Sequence, residues 1–162
     1  FNDTVPDLDG VQALAATSAN GVRALERCGE AVKELPLYAV GAATAKAARE
    51  AGFAQVQEAG GDVALLAFMI AASCDPARGA IFHAAGKETA GDLKGDLESE
   101  GFSVRRVVLY DAQAVDALPD AAAAAMRDGE ADGVLLFSPR TARLAKRRFE
   151  IPCDFKYLLC PL

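Results

Sequence analysis

The chain has 162 residues, 52% hydrophobic and 25% charged, with no tryptophan. That length suits one ordinary domain or two very small ones, and a mean hydropathy of +0.14 excludes a disordered or low-complexity chain. Seventeen Lys and Arg against 23 Asp and Glu leave a net charge of −6, which argues against generic nucleic-acid binding.

Short apolar runs alternate with Ala-rich helical stretches. Ala13–Ala16 is a strand candidate, broken by Thr17-Ser18-Ala19-Asn20-Gly21, after which Val22, Leu25 and Cys28 recur at helical spacing. Leu37–Val40 is the next strand, with Gly41-Ala42-Ala43-Thr44 as its turn and a helix that stops at Gly52; Phe53–Val56 follows as a β-prone segment. Val63 to Ala72 is the most apolar run. Its ten residues fall short of the roughly 20 a bilayer needs, so it predicts a buried core helix and not a membrane span. Ala80–His83 is a strand with Ala84-Ala85-Gly86-Lys87 as its turn, and Leu93 and Leu97 share one face of the helix closed by Gly101. Phe102–Val104 opens a further strand that runs on to Tyr110. Helices closed by glycine and re-entering strands are the expected αβ connections. The stretch 111–118 reads as an extended crossover, Pro119 begins a helix that stops near Gly129, and Val134–Phe137 and Tyr157–Cys160 are the last strands, with Ser138-Pro139 opening an Arg-rich helix. The pattern predicts an α/β fold whose parallel sheet is covered by helices on both faces. Two strands alone cannot bury a doubly wound core, so either 119–162 is completed by residues outside this chain or the boundary at 119 lies elsewhere.

Residues 1–118 hold 10 basic and 17 acidic groups, and residues 119–162 hold 7 and 6. Five of the later bases, Arg140, Arg143, Lys146, Arg147 and Arg148, read as the solvated face of a helix. Cys28, Cys74, Cys153 and Cys160 lack CxxC spacing and read as small buried hydrophobes of a reducing cytoplasm. With one histidine, His83, no metal site is expected. Phe1 in place of an initiator methionine, without a basic n-region, reads as a lost natural start and not as a signal peptide.

Ligands of open parallel sheets bind at the carboxyl ends of strands, where helix N-termini point amides outward. The residues expected there are Thr17, Ser18, Asn20, Thr44, His83, Gly86, Lys87, Ser138 and Arg140. Hydroxyls and exposed amides suit carboxylates or phosphates, although each Ser, Thr and Asn also serves as a routine N-cap. Gly86-Lys87 lacks the upstream glycine of a P-loop, Ile81 standing there. Gly41-Ala42-Ala43-Thr44-Ala45 lacks the second glycine of the dinucleotide fingerprint, and Asp62 starts a helix where the fingerprint has an acidic residue ending a strand. No GxSxG occurs. The residues alone imply an α/β domain with anion-friendly strand tips, and a non-catalytic module binding a small anion there is one reading of them.

Four segments, ALAATSANGVRAL (13–25), LYAVGAATAKAAREAGF (37–53), AIFHAAGKETAGDLKGDLESEGFSVRRVVLYDA (80–112) and GVLLFSPRTARLAKRRF (133–149), together resemble the uroporphyrinogen-III synthase family. The resemblance implies two flavodoxin-like lobes joined by an extended two-stranded linker, with the active site between them. On that pattern residues 1–110 are the inserted lobe, 111–118 the linker, and 119–162 part of a second lobe whose other segments are absent from this chain. The implied reaction closes the linear hydroxymethylbilane to uroporphyrinogen III, with loss of water and inversion of ring D, in a monomeric protein without cofactor, membrane or nucleic acid. Tyr110 matches the family's favoured acid, and a phenol is protonated at neutral pH. The family often has Thr two residues on, where this chain has Ala112. Lys156 matches a family cation. The implied substrate carries eight carboxylates, so Thr17, Ser18, Thr44, Ser138 and nearby helix amides are expected to offset the repulsion of an acidic protein.

Overall fold

The structure, a computed structural model, describes residues 7–88, 91–113, 115–136, 139–148 and 156–159, with backbone alone at 139–140, 146–148 and 156–159. The chain forms two compact units, Phe1–Ala112 and Gln113–Leu162. In the first, β1 (Val11–Ala16), β2 (Leu37–Ala39), β3 (Val56–Glu58), β4 (Ala80–Gly86) and β5 (Val104–Tyr110) alternate with α1 (Ala19–Glu26), α2 (Ala42–Glu50), α3 (Val63–Ser73) and α4 (Leu93–Ser99). All pairings are parallel, in the order β3-β2-β1-β4-β5. A flavodoxin sheet has the order 2-1-3-4-5, with one strand on one side of β1. Here two strands lie on each side, because the crossover through α2 carries the chain to the outer edge of β2, pairing Leu37 with Val56.

This order dictates the layers. Right-handed crossovers place the helices of a sheet growing one way on one face, and those made after the reversal on the other. Val22, Ala24 and Leu25 of α1 and Ala45 and Ala48 of α2 accordingly pack on Leu14, Ala16, Leu37, Ala39, Phe82, Ala84 and Leu109. Leu66, Ala67 and Ile70 of α3 and Leu93 and Leu97 of α4 pack with Ala13, Ala15, Tyr38, Ile81 and Val104. All seven residues of β4 are buried, as a central strand covered on both faces requires.

Several boundaries differ from the sequence reading. Ala84, Ala85 and Gly86 are strand and not turn: they pair with Val107, Val108 and Tyr110 of β5, and Ala84 also with Ala16 of β1. Pairing from both sides overrides their weak β propensity. Phe53 and Phe102 are not strand residues. Each follows a left-handed glycine, Gly52 (φ 87°) and Gly101 (φ 86°), donates its amide back to the preceding helix, to Ala48 and Leu97, and plugs the core beneath it. Val63 to Ser73 is helical as expected, capped by Asp62, whose carboxylate accepts the Ala64 amide at 2.6 Å. Only one face of α3 is buried: Leu65 and Phe68 are 53% and 72% exposed, so it is not the wholly buried helix its composition suggested. Cys28 and Cys74 are half-buried thiols, and burial pushes the Cys28 thiol up; Cys153 and Cys160 lie outside the described residues. No helix among the described residues is long and apolar enough to cross a membrane.

The second unit holds α5 (Asp120–Arg127), β6 (Gly133–Leu136), α6 (Pro139–Arg148) and β7 (Lys156–Leu159), with β6 and β7 paired in parallel. Among its described residues Leu136 and Ala145 are buried, and Arg143 is exposed.

One close approach holds α1 on the sheet. A Cβ on Gly21 would stand 2.8 Å from the carbonyl oxygen of Ala84, a backbone atom that cannot move aside cheaply. Gly21→Ala is expected to cost about 1–3 kcal/mol as an overpacking substitution, read as a lower urea midpoint at constant m value; an unchanged midpoint would contradict this packing.

Candidate active site

The chain reverses its direction of sheet growth at β1, whose neighbours are β2 and β4. At such a switch point the crossovers leave the strand tips on opposite sides, and a crevice opens at their carboxyl ends. Thr17 and Ser18 follow β1 directly, Gly86 ends β4, and Tyr110 ends β5.

Ser18 is the N-cap of α1: its backbone is extended and its Oγ accepts the Gly21 amide at 3.2 Å. The same Oγ lies 2.6 Å from the phenolic Oη of half-buried Tyr110. Gly86 supplies the seat for that ring. A Cβ there would stand 2.8 Å from Cε2 and Cζ of Tyr110, so Gly86 serves by having no side chain. The Lys87 amide donates to the Tyr110 carbonyl at 3.0 Å, which ties the turn after β4 to the end of β5. Ser18, Gly86, Lys87 and Tyr110, widely separated in sequence, therefore meet at one end of the sheet.

The other expected residues sort differently. His83 is 2% exposed, inside β4, so it is core and not a rim residue. Its Nε2 is 3.4 Å from Thr17 Oγ1, and its Nδ1 is buried without a hydrogen-bond partner. Burial first, and then the Arg106 guanidinium, lower its pKa to about 4, so the ring is neutral at pH 7. Thr44 is not at an open tip but buried in the first turn of α2. Asn20 is half-buried and accepts a hydrogen bond from Arg23 at 2.8 Å. Lys87 is exposed and 3.6 Å from Asp111, a surface ion pair weak enough for a ligand carboxylate to exchange into. Ser138 lies outside the described residues, as do the side chains of Arg140 in α6 and Lys156 in β7.

Arg106 escaped the sequence reading. It sits in register with His83, and its Nη2 donates to the Gly86 carbonyl at 2.9 Å, bringing a cation to the tip of β4. Its signal was a pair of charges, Arg105 and Arg106, on a strand otherwise apolar up to the tyrosine, with Arg106 four residues before it. Tyr38 belongs to the core: burial, and next its contact with Cys74, push its phenol up to about 12. Among the described residues no group of three or more His, Cys, Asp or Glu could hold a metal ion.

The family model described as "Uroporphyrinogen-III synthase HemD" matches residues 2–151. The chain belongs to the uroporphyrinogen-III synthase family. Its fold is similar to that of the uroporphyrinogen-III synthetase of Helicobacter pylori (TM-score 0.64, 18% identity, covering 95% of this chain and 70% of that one). It is also similar to the wild-type uroporphyrinogen III synthase of Thermus thermophilus (0.53, 20%, 93% and 64%) and to a mutant of that enzyme (0.53, 22%, 84% and 56%). The chain thus spans between about half and 70% of the length of these synthases. No curated protein matches the sequence. At these identities the structures speak for the fold, and the family match for the class of chemistry.

The neutral His83 has a measurable consequence. Its folded pKa, about 4, lies below the unfolded value of 6.5, so the unfolded chain binds the extra proton between these values. The stability it contributes is complete above pH 6.5 and is lost as pH falls toward 4. Between pH 7 and 4.5 the parent is expected to lose about 2 kcal/mol more than His83→Gln, measured by urea unfolding at both values. Equal losses would contradict a buried neutral imidazole.

Proposed function

We propose that this chain carries out the family's reaction, cyclising hydroxymethylbilane to uroporphyrinogen III with loss of water and inversion of ring D, and that Tyr110 is the acid. The observation that carries this reading is the meeting of Tyr110 and Ser18 at the switch point, beside the N-terminus of α1. In this reading residues 111–118 are the interlobe linker, 119–162 are part of a second lobe, and the protein works as a cytoplasmic monomer without cofactor.

The substrate supplies its own reactivity. The pyrrole nitrogen pushes electrons toward the hydroxymethyl carbon, the carbon–oxygen bond breaks, and the departing oxygen needs a proton to leave as water. Tyr110 donates that proton, and a phenol, protonated at neutral pH, is competent to do so. The azafulvene left behind is attacked by the substituted carbon of ring D, giving the spiro intermediate from which the inverted ring closes. The protein's further work is geometric: it must hold the chain so that inversion outruns the spontaneous uninverted closure.

Holding an octacarboxylate on a protein of net charge −6 calls for local positive potential. The first amides of α1, at Ala19 and Asn20, have no carbonyl within their own helix to bond, and the N-terminus carries about half a positive charge. Gly41 gives α2 no side-chain cap, which leaves its first amides open to an anion. Lys87, Arg106 and Arg23 add side-chain cations. Thr17 and Asn20 border this region. Thr44 acts through the α2 amides, and Ser138, Arg140 and Lys156 remain further candidate carboxylate ligands.

Freshly generated hydroxymethylbilane given to the protein is expected to yield mainly type III uroporphyrinogen, read by chromatography. Tyr110→Phe is expected to slow the reaction on the order of 10²-fold. Type I product alone, formed at the spontaneous rate by a folded protein, would overturn the enzyme reading in favour of a binding module.

A further inference from the structure

Ser18 has a second task that a carboxylate ligand would not have. Its oxygen offers one proton and two lone pairs, and the Gly21 amide occupies one lone pair. The short contact to Tyr110 Oη, 2.6 Å, takes up a further part of that capacity. If Tyr110 donates to Ser18, the phenolic proton is spent inside the protein. If Ser18 donates to Tyr110, the phenolic proton is turned toward another oxygen, and the phenolate left by proton transfer keeps a donor already in place. Only the second arrangement serves an acid. On one side the ring packs against Gly86, with no room between them for even one more carbon, so it cannot swing in that direction. Ser18 is itself fixed by its capping bond, so the position of the phenol is set by the start of a helix and not by a mobile side chain.

We infer that Ser18 is a positioning residue for Tyr110: it donates to the phenolic oxygen, aims the phenolic proton at the departing hydroxyl, and holds the phenolate that results. The inference rests on the acid role proposed for Tyr110. It reassigns Ser18 from binding a substrate carboxylate to orienting the acid. The proton goes from Tyr110 to the leaving oxygen, and the one on Ser18 stays with Ser18 as a hydrogen bond.

Ser18→Gly is the informative variant, because glycine is an adequate N-cap, so the hydroxymethyl group is removed with the start of α1 kept. It is expected to lower kcat roughly ten- to a hundredfold, as the loss of one hydrogen bond to a charged group would, with KM little changed, and Ser18→Thr is expected to regain most of the rate. Placed in the Tyr110→Phe background, Ser18→Gly is expected to cost nothing further, since the group it orients is gone. A raised KM at parental kcat would overturn the inference in favour of a carboxylate ligand. An equal loss in both backgrounds would overturn it in favour of a role independent of Tyr110. Tyr110→Phe at the parental rate would instead sink the acid assignment itself, and is told apart because that result does not involve Ser18. An NMR spectrum of ring-labelled tyrosine reports on the bond without turnover: the Tyr110 resonance is expected to move in Ser18→Gly, and an unmoved resonance would overturn the inference.

Discussion

The sheet grows from β1 in one direction through β2 to β3, and then the chain crosses back to lay down β4 and β5 on the other side. Everything at the site follows from that reversal. It sends the crossover helices to opposite faces and leaves the tips of β1 and β4 side by side. Thr17 and Ser18 stand on one tip and Gly86 and Lys87 on the other, while β5, the last strand of the unit, brings Tyr110 alongside. The 2.6 Å contact from Ser18 to Tyr110 spans these strands and spans 92 positions of sequence.

The chemistry of the tips is built mostly from what the side chains do not do. His83, the obvious candidate for acid–base work, is buried and neutral, with Arg106 opposing any charge on it. Gly86 contributes an absence that the Tyr110 ring fills. The proton donor left at the tips is the phenol of Tyr110, and the reaction proposed above first needs a proton on a leaving hydroxyl. Binding, in the same account, relies on amides and a few exchangeable cations because the protein as a whole is acidic.

Features set by local backbone geometry could be read from the chain alone. The glycines closing α2 and α4 adopt the left-handed conformation that helix C-termini favour, and Asp62 caps α3, because these preferences operate within a few residues. What depends on distant partners could not. Ala84-Ala85-Gly86 carries no strand signal, and only flanking strands on both sides make it β. Val63 to Ser73 is apolar around its whole circumference, so its composition could not reveal that Phe68 stays exposed. His83 reads in the sequence as a strand-end residue at the rim, but β4 runs on to Gly86 with a strand on each side, and that extension buries it. Ser18 and Tyr110 were each legible as strand-tip residues, Tyr110 through family resemblance, but their contact was not, since no spacing rule links residues so far apart.

The central claim is that the tips of β1, β4 and β5 form the binding site for the polycarboxylate. Titrating the labelled protein with uroporphyrinogen III, kept reduced, and following backbone amide resonances tests it most directly. The account predicts saturable shifts at Thr17 to Gly21, at Gly86 and Lys87, and at Tyr110 and Asp111. Saturable shifts confined to the exposed face of α3 around Leu65 and Phe68, with the strand tips silent, would contradict it.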